Sequence, residues 1–520
     1  MKKLIMMAMV LAAVQSWGFS MAGPKESKPV EPKRGTTMKL NKKYNVYFGD
    51  LHTHTGLSDG SGEPAEGFAA AKSYLDFYAQ TDHSQFPDLP EGERFDSHHP
   101  GWRQAVPRLK ARWHEVQKLV RDNYEPGEFV TFLGYEWTSQ HWGDHNVYYL
   151  KDDEPIRYAR SLEEFYASLD GVEAMAIPHH TAYPIGHRGY DWKGFDSSKE
   201  YLAEIFSDHG SSETDIGPRD LYQGNMGPRT TAGTARHALD KGHVFGFIAS
   251  TDNHSSSTHG RYDGGLAAVY AEELTREALW DAFKKRRTYA VTGDRIGLDF
   301  QLNGSPMGSI VQTNGRQPRR IAVKVDGWDC LDKVEIIKNG KVVKRWYDFD
   351  FASIKNAKRF KVNVKWGYNT SGKKEWNFSV NVHNGSIIGY QPCFTVPGFN
   401  KVSNVGLQQF DVSSKTTSTL QIQKVGMDIE GTLDTAVTIR HDGKDVLSGT
   451  IGELLSENKS VYPFGAYAGA FYLSRAVAEP HFHVALNWDD AASQGPRDYY
   501  YIRVFQKNGQ MAWSSPIWVD

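Results

Sequence analysis

In the first 260 residues of this chain, one apolar run after another stops at a histidine or a carboxylate. The run at 46–51 leads into His52 and His54, and the run at 75–81 into Asp82 and His83. The run at 129–135 stops at Glu136, 172–178 at His179 and His180, and 244–250 at Asp252 and His254. Two further apolar runs lie at 201–206 and 266–270. Runs of this length suit buried strands. Helical patterns lie between them. Pro64 fits the first position of a helix through Lys72. Trp102, Val106, Leu109, Trp113, Val116 and Val120 form one apolar helix face. Ser161 with Glu164 predicts a capping box, and Thr275 a cap for a helix to Arg286. Strand and helix alternate over roughly 250 residues, which implies an α/β fold with a parallel sheet, most simply a closed or nearly closed barrel. The carboxyl ends of such strands converge on one pocket, so these polar ends would share a site.

That site reads as a metal centre. His52 and His54 point to one face of a strand, because side chains repeat every two residues. A polar loop carrying Asp59 follows. Glu136 is the natural bridging ligand, since one carboxylate can join two cations. His145 follows in Gly143-Asp144-His145-Asn146, and Asp252 and His254 again share a face. All but His383, His441, His481 and His483 of the 20 histidines lie in the first 260 residues. The chain has only Cys330 and Cys393, so the ligands must be nitrogen and oxygen donors. They are too numerous for one tetrahedral ion and predict two or three divalent ions of the Zn, Mn or Fe type. A net charge of -2 and the lack of a basic tract argue against an obligate nucleic-acid partner. They leave room for a small anionic substrate. No Gly-x-Ser-x-Gly elbow, Walker loop or dinucleotide fingerprint is present.

The run Asp50-Leu51-His52-Thr53-His54-Thr55 with Ser58-Asp59-Gly60, then Thr81-Asp82-His83, Glu136, His145, His179 and Asp252-Asn253-His254, resembles the PHP (polymerase and histidinol phosphatase) superfamily. Arg287-Thr288-Tyr289-Ala290-Val291-Thr292-Gly293 and the closing Ala512-Trp513-Ser514-Ser515-Pro516-Ile517-Trp518 look like a long, often exported branch with a C-terminal β domain of poorly defined function. The resemblance implies a distorted seven-stranded (β/α) barrel with a trinuclear centre. By position, His52, His54, Glu136 and Asp252 would hold one ion, and His83 and His254 a second. Glu136, His145 and His179 would hold the third. Asp59 stands beside Gly60, where some members use a histidine, and would substitute for it. His180 is the alternative to His179, or a substrate contact.

The reaction expected is hydrolysis of a phosphomonoester or phosphodiester by a metal-bridging hydroxide. A protonated His209 or His180 would donate to the leaving group, and Arg261 would bind a phosphate oxygen. A sulfate-ester or phosphonate-ester hydrolase with the same metals is one alternative. A non-catalytic exported binding protein is another. Trp137, Trp142, Tyr183, Tyr190 and Trp192 lie in the same loops, as pocket wall or as loop packing.

The chain ends are read separately. Lys2 and Lys3 precede an apolar stretch and Ser20-Met21-Ala22, which predicts a signal peptide at 1–22 and an exported protein, periplasmic or secreted, with no membrane span in the mature chain. Residues 23–38 read as a flexible tether. The barrel domain is expected at 39–295. After it the periodicity turns to short alternating runs separated by Asn339-Gly340, Asn384-Gly385, Asp442-Gly443 and Asn508-Gly509, which predicts an all-β, sandwich-like domain at 296–520. An insertion at about 401–480 is left open, as are a Cys330–Cys393 disulfide and the oligomeric state.

Overall fold

All seven apolar runs form strands, each within a few residues of its expected place. The computed structural model describes residues 32–35, 38–40, 43–88, 102–221, 226–313, 318–347, 354, 356–369, 372–416, 421–465, 468–491 and 497–520. The expected signal peptide and most of the expected tether lie outside these residues. Among the described residues no helix is long and apolar enough to cross a membrane.

The strands that frame the polar ends are β1 (Tyr44–Asp50), β2 (Phe77–Gln80), β3 (His83–Gln85), β4 (Val130–Trp137), β5 (His145–Tyr149), β6 (Ala174–Pro178), β7 (Leu202–Ser207), β8 (Gly246–Ala249), β9 (Leu266–Ala271) and β10 (Thr288–Val291). The helices between them include α1 (Pro64–Lys72), α2 (Trp102–Asp122), α3 (Leu162–Ser168) and α4 (Arg276–Lys284). In α2 the buried face is Leu109, Trp113, Val116 and Val120, and Trp113 meets Tyr135 of β4 edge to face. The box expected before α3 is only half formed. Ser161 Oγ accepts from Glu164 N at 3.2 Å, but the Glu164 carboxylate reaches one residue further back, to Arg160 N. Thr275 caps α4 through Ala278 N.

The purely parallel sheet does not form. The strand order is β10-β9-β1-β2-β4-β5-β6. Pairing is parallel from β1 through β2 to β4. It is antiparallel between β9 and β1, and on both sides of β5. The reason for β5 is chain length. The link 138–144 is too short for a crossover, so the chain can only turn back on β4. Strands β7 and β8 pair parallel in a small sheet of their own. Single backbone bonds tie that sheet in, from Ala176 N to Lys199 O (3.1 Å) and from Asp252 N to His52 O (2.8 Å).

The large sheet does not stop at residue 295. β10 pairs with Met511–Ser514, which pairs with Asp498–Gln506, which in turn pairs with Leu331–Lys338. One hydrophobic core therefore holds both Phe48 and Trp513. A second core lies within a ten-stranded sheet built on Arg359–Asn369, Lys374–Cys393 and Ile422–His441. Strands from 401–480 join that same sheet. Asn339-Gly340 and Asp442-Gly443 make the expected tight turns, both residues of each with positive φ. Asn384-Gly385 does not. It is a bulge inside the long strand Lys374–Cys393, where Thr435 packs against Gly385.

One part of the expected tether is held. Lys33 and Arg34 pair with Gly389 and Tyr390, and Arg34 bonds the Asp76 carboxylate at 2.9 Å. Both cysteines are free thiols.

Candidate metal centre

The segments just beyond β1, β2 and β8 stay extended and bind one another. Thr81 N donates to Thr53 O (2.9 Å) and His54 N to Asn253 O (2.9 Å). Buried Asp50 bridges the first and last of these segments, accepting from Thr251 N (3.0 Å), Thr251 Oγ1 (2.6 Å) and Gly260 N (2.7 Å). Asp82 braces the loop after His54 through Thr55 N (2.8 Å) and Ser58 Oγ (2.7 Å). These carboxylates are consumed in holding loops and leave the histidines to face inward.

Glu136 is the hub. Its Oε2 lies 3.4 Å from His52 Nε2, 3.2 Å from His54 Nε2 and 3.1 Å from His83 Nδ1. Its Oε1 lies 3.1 Å from His179 Nε2. Asp252 Oδ1 lies 3.2 Å from His52 Nε2 and 3.1 Å from His54 Nε2, which are themselves 3.1 Å apart. Asp59 sits between His83 Nε2 (3.5 Å) and His254 Nε2 (3.4 Å). His254 stacks on His54 with ring centroids 4.2 Å apart. On the far side of His52, Glu204 Oε2 lies 3.2 Å from Nδ1 and fixes the ring.

Four groups of these side chains bring donor atoms close enough to share an ion: His54, Asp59, His83 and His254; His52, His54 and Glu136; His52, His179 and Asp252; and Asp144, His179 and His180. The spacing suits a cation. Two donors each about 2.1 Å from one ion stand about 3.0–3.4 Å apart in octahedral or tetrahedral geometry. Orphaned atoms point the same way. His179 Nδ1, His180 Nδ1 and the whole Asn146 amide are buried without a hydrogen bond, and Asn146 pairs with Glu136 across the ladder. Buried polar groups rarely go unpaired.

The charges are strongly coupled. Burial opposes an imidazolium at His83, but Glu136 and Asp59 outweigh it and raise the pKa to about 10. His52 is raised likewise, against burial, by Asp252 and Glu204. His179 is pushed down by burial and by its neighbours His180 and His52. Glu136 stays ionised despite burial because of His83. Asp252 has a φ of 52°, a strained backbone held where its side chain meets both His52 and His54.

Two expected residues are not brought to the cluster. His145 lies on the opposite face of β5 from Asn146. Its Nε2 bonds Glu200 (3.0 Å) and its ring packs edge-on against Tyr190. Arg261 pairs with Asp208, Nε to Oδ1 at 3.1 Å, and is partly exposed. His209 does arrive, with Nε2 2.9 Å from Asp252 Oδ2 and Nδ1 3.0 Å from Tyr183 Oη. Of the loop aromatics, Trp137, Tyr190 and Trp192 are core, with Trp137 stacked on Phe165 and Trp192 on Phe245. Tyr183 reaches the cluster, bonded to His209 and edge-on against His180.

Asp144 and Arg188 escaped the sequence reading. Asp144 Oδ2 lies 3.1 Å from His180 Nε2 and accepts from Arg188 Nε at 2.6 Å. The available signal was Asp144 itself, one position from the histidine that was favoured.

Residues 71–204 and 258–304 match a family described as proteins of unknown function (DUF3604). An uncharacterised protein of Chlamydia pneumoniae is 30% identical over 258 residues, covering 45% of this chain and 41% of that protein. A second, from Chlamydia muridarum, is 27% identical over 252 residues, covering 45% and 40%. The chain thus spans about two fifths of the length of these relatives. A solved two-domain protein from Bacteroides vulgatus, described as containing a predicted PHP-like metal-dependent phosphoesterase, aligns with a TM-score of 0.34 at 12% identity, over 81% of this chain and 98% of that one.

Proposed function

We propose that this chain is an exported metal-dependent hydrolase acting on phosphoesters. The observation that carries the reading is Glu136, a fully buried carboxylate with four histidines around its two oxygens. His52, His54, Glu136 and Asp252 would hold one ion. Asp59, His83 and His254, with Glu136 between, would hold another. Bound divalent ions supply Lewis acidity and bring the pKa of a bound water to about 7.

The chain's own residues do the rest. Glu204 and Thr138 fix the rings of His52 and His83, the latter through Thr138 Oγ1 at 2.7 Å from Nδ1. His209 stands at the margin of the cluster, with a side-chain exposure of 13%, where Nε2 can pass a proton to a leaving oxygen. The resemblance of the strand-end motifs to the PHP superfamily supports the phosphoester among tetrahedral anions. The N-terminal leader pattern supports export.

The test is one hydrolysis panel on purified protein with Mn²⁺ or Zn²⁺ supplied. It compares p-nitrophenyl phosphate, its diester and p-nitrophenyl sulfate, with His83→Ala as control. Turnover of a phosphoester that the variant loses is the expected result. Turnover of the sulfate alone would keep the centre and replace the substrate. Metal binding with no turnover of any ester would favour a binding protein.

A further inference from the structure

We propose that the centre holds two ions rather than three, and that the guanidinium of Arg188 stands in the third cation position and presents its charge to an oxyanion of the substrate. This rests on the hydrolase reading above and departs from the three-ion arrangement that the sequence resemblance implies.

A third ion would draw on Asp144, His179 and His180, whose donor atoms lie close together, but the one carboxylate of that group is already engaged. His145, the residue expected there, is turned away and bonded to Glu200. Asp144 takes its place in sequence and in space, but both its oxygens are engaged. Oδ1 accepts from Ser139 N at 2.8 Å. Oδ2 accepts from Arg188 twice, from Nε at 2.6 Å and from Nη2. A carboxylate gripped by a guanidinium fork is already neutralised, and a divalent ion would have to displace that fork. Arg188 Nη2 also lies 4.0 Å from Glu136 Oε1, so a fixed positive charge sits against the hub where a third ion would otherwise lie.

The fold invests in this placement. Arg188 is buried, with a φ of 72°, an uncommon backbone for a side-chain-bearing residue. Its N–H is fixed on Gln140 O at 2.8 Å. The next residue, Gly189, packs so closely that a Cβ there would fall 1.8 Å from Tyr183 O. His180, also with positive φ at 33°, places its ring between Asp144 and His209. With Nε and Nη2 tied to Asp144, the guanidinium is a recognition group of fixed orientation, and its outer edge is the part that would meet a phosphate oxygen.

The experiment counts metal per chain in the full-length protein after loading with Zn²⁺ and dialysis, by inductively coupled plasma mass spectrometry. It uses the wild type, Arg188→Lys and Arg188→Ala, each checked for folding by its thermal transition. Two ions are expected in the wild type and in Arg188→Lys. Three are expected in Arg188→Ala, where Asp144, His179 and His180 become free to bind one. The affinity of the two-ion protein for inorganic phosphate is measured alongside. Arg188→Lys should weaken it about tenfold, because an ammonium paired with Asp144 cannot also hold an oriented donor against the phosphate. Three ions in the wild type, two in Arg188→Ala, or unchanged phosphate affinity in Arg188→Lys would each overturn the proposal. If Arg188→Ala does not fold, the wild-type count and the Arg188→Lys affinity still decide. A wild type that binds no metal would instead remove the hydrolase reading beneath it.

Discussion

Glu213 accepts a hydrogen bond from Trp513 Nε1 at 2.7 Å, across 300 positions of sequence. Tyr501 Oη (2.7 Å) and Arg503 Nη1 (3.1 Å) donate to the same buried carboxylate. Glu213 belongs to the segment after β7 that also carries His209, so the last strands of the chain hold that segment against the metal centre. Glu213→Ala strands two buried donors, on Tyr501 and Trp513, and should cost about 3 kcal/mol. Equilibrium urea unfolding measures this. Metal content should not change, whereas turnover that depends on His209 should fall. An activity equal to wild type in the folded variant would separate the C-terminal strands from the site.

Gly189→Ala should be disruptive despite its size. The added methyl would meet the Tyr183 carbonyl oxygen at 1.8 Å and its carbon at 2.5 Å, and neither is a side chain that can swing away. The turn carrying Arg188 must open, at a cost of about 1–3 kcal/mol. Thermal denaturation should show the loss, and phosphate affinity should fall with it. Gly186→Ala, with φ of 84° and nothing within 4 Å of the new Cβ, tests for a general effect of alanine in this loop. It should cost less and leave phosphate binding intact.

What the sequence made legible was local and what it hid was long-range. Pro64 and Lys72 bound α1 as read, because a proline at the first position and an apolar face are properties of nine consecutive residues. The strand ends were legible for the same reason, since His52, His83, Glu136 and Asp252 each lie within two residues of the end of an apolar run. The error at His145 came from facing. Residues 145 and 146 lie on opposite sides of β5, and only pairing with Glu136 shows that 146 looks inward. Arg188 was illegible because its partner Asp144 lies 44 positions away and its backbone is in an unusual region. The joining of Met511–Ser514 to β10 depends on a pairing between chain segments more than 200 residues apart, which no local pattern encodes.

In the ten-stranded sheet, Asp428 is buried against two cations. Lys361 Nζ lies 2.7 Å from Oδ2, and Arg359 Nε lies 2.9 Å from Oδ1. Arg359 keeps a second partner in Asp326 at 2.8 Å. Lys361 lies 4.0 Å above the Trp328 ring, and its charge also helps hold the Asp326 carboxyl low against burial. Asp428→Ala should cost about 3 kcal/mol, mostly because the buried ammonium loses its direct ion-pair partner. Lys361→Met in the same background should recover part of it, because the uncompensated charge is then gone. A double variant no more stable than Asp428→Ala would show that the ammonium is not the cause.

Loading the centre must expel protons, and the sign follows from His83 and Glu136. His83 is raised from its ordinary 6.5 to about 10, so the stabilisation it gives the metal-free fold is complete below about pH 6.5 and fades as pH climbs through 10. Glu136 is depressed below its ordinary 4.5, so its contribution is present above about 4.5 and is lost as pH falls. For this pair the metal-free protein is thus most stable between about pH 4.5 and 6.5. An ion requires the neutral imidazole and competes with the proton on it. Metal affinity should rise about tenfold per pH unit for each proton displaced, up to about pH 10. Titration calorimetry at pH 7 in two buffers of different ionisation enthalpy measures the number directly. At least one proton released per chain is expected for wild type, and fewer for His83→Asn, which cannot hold that proton. Identical heats in the two buffers would mean that the histidines are already neutral before the metal arrives.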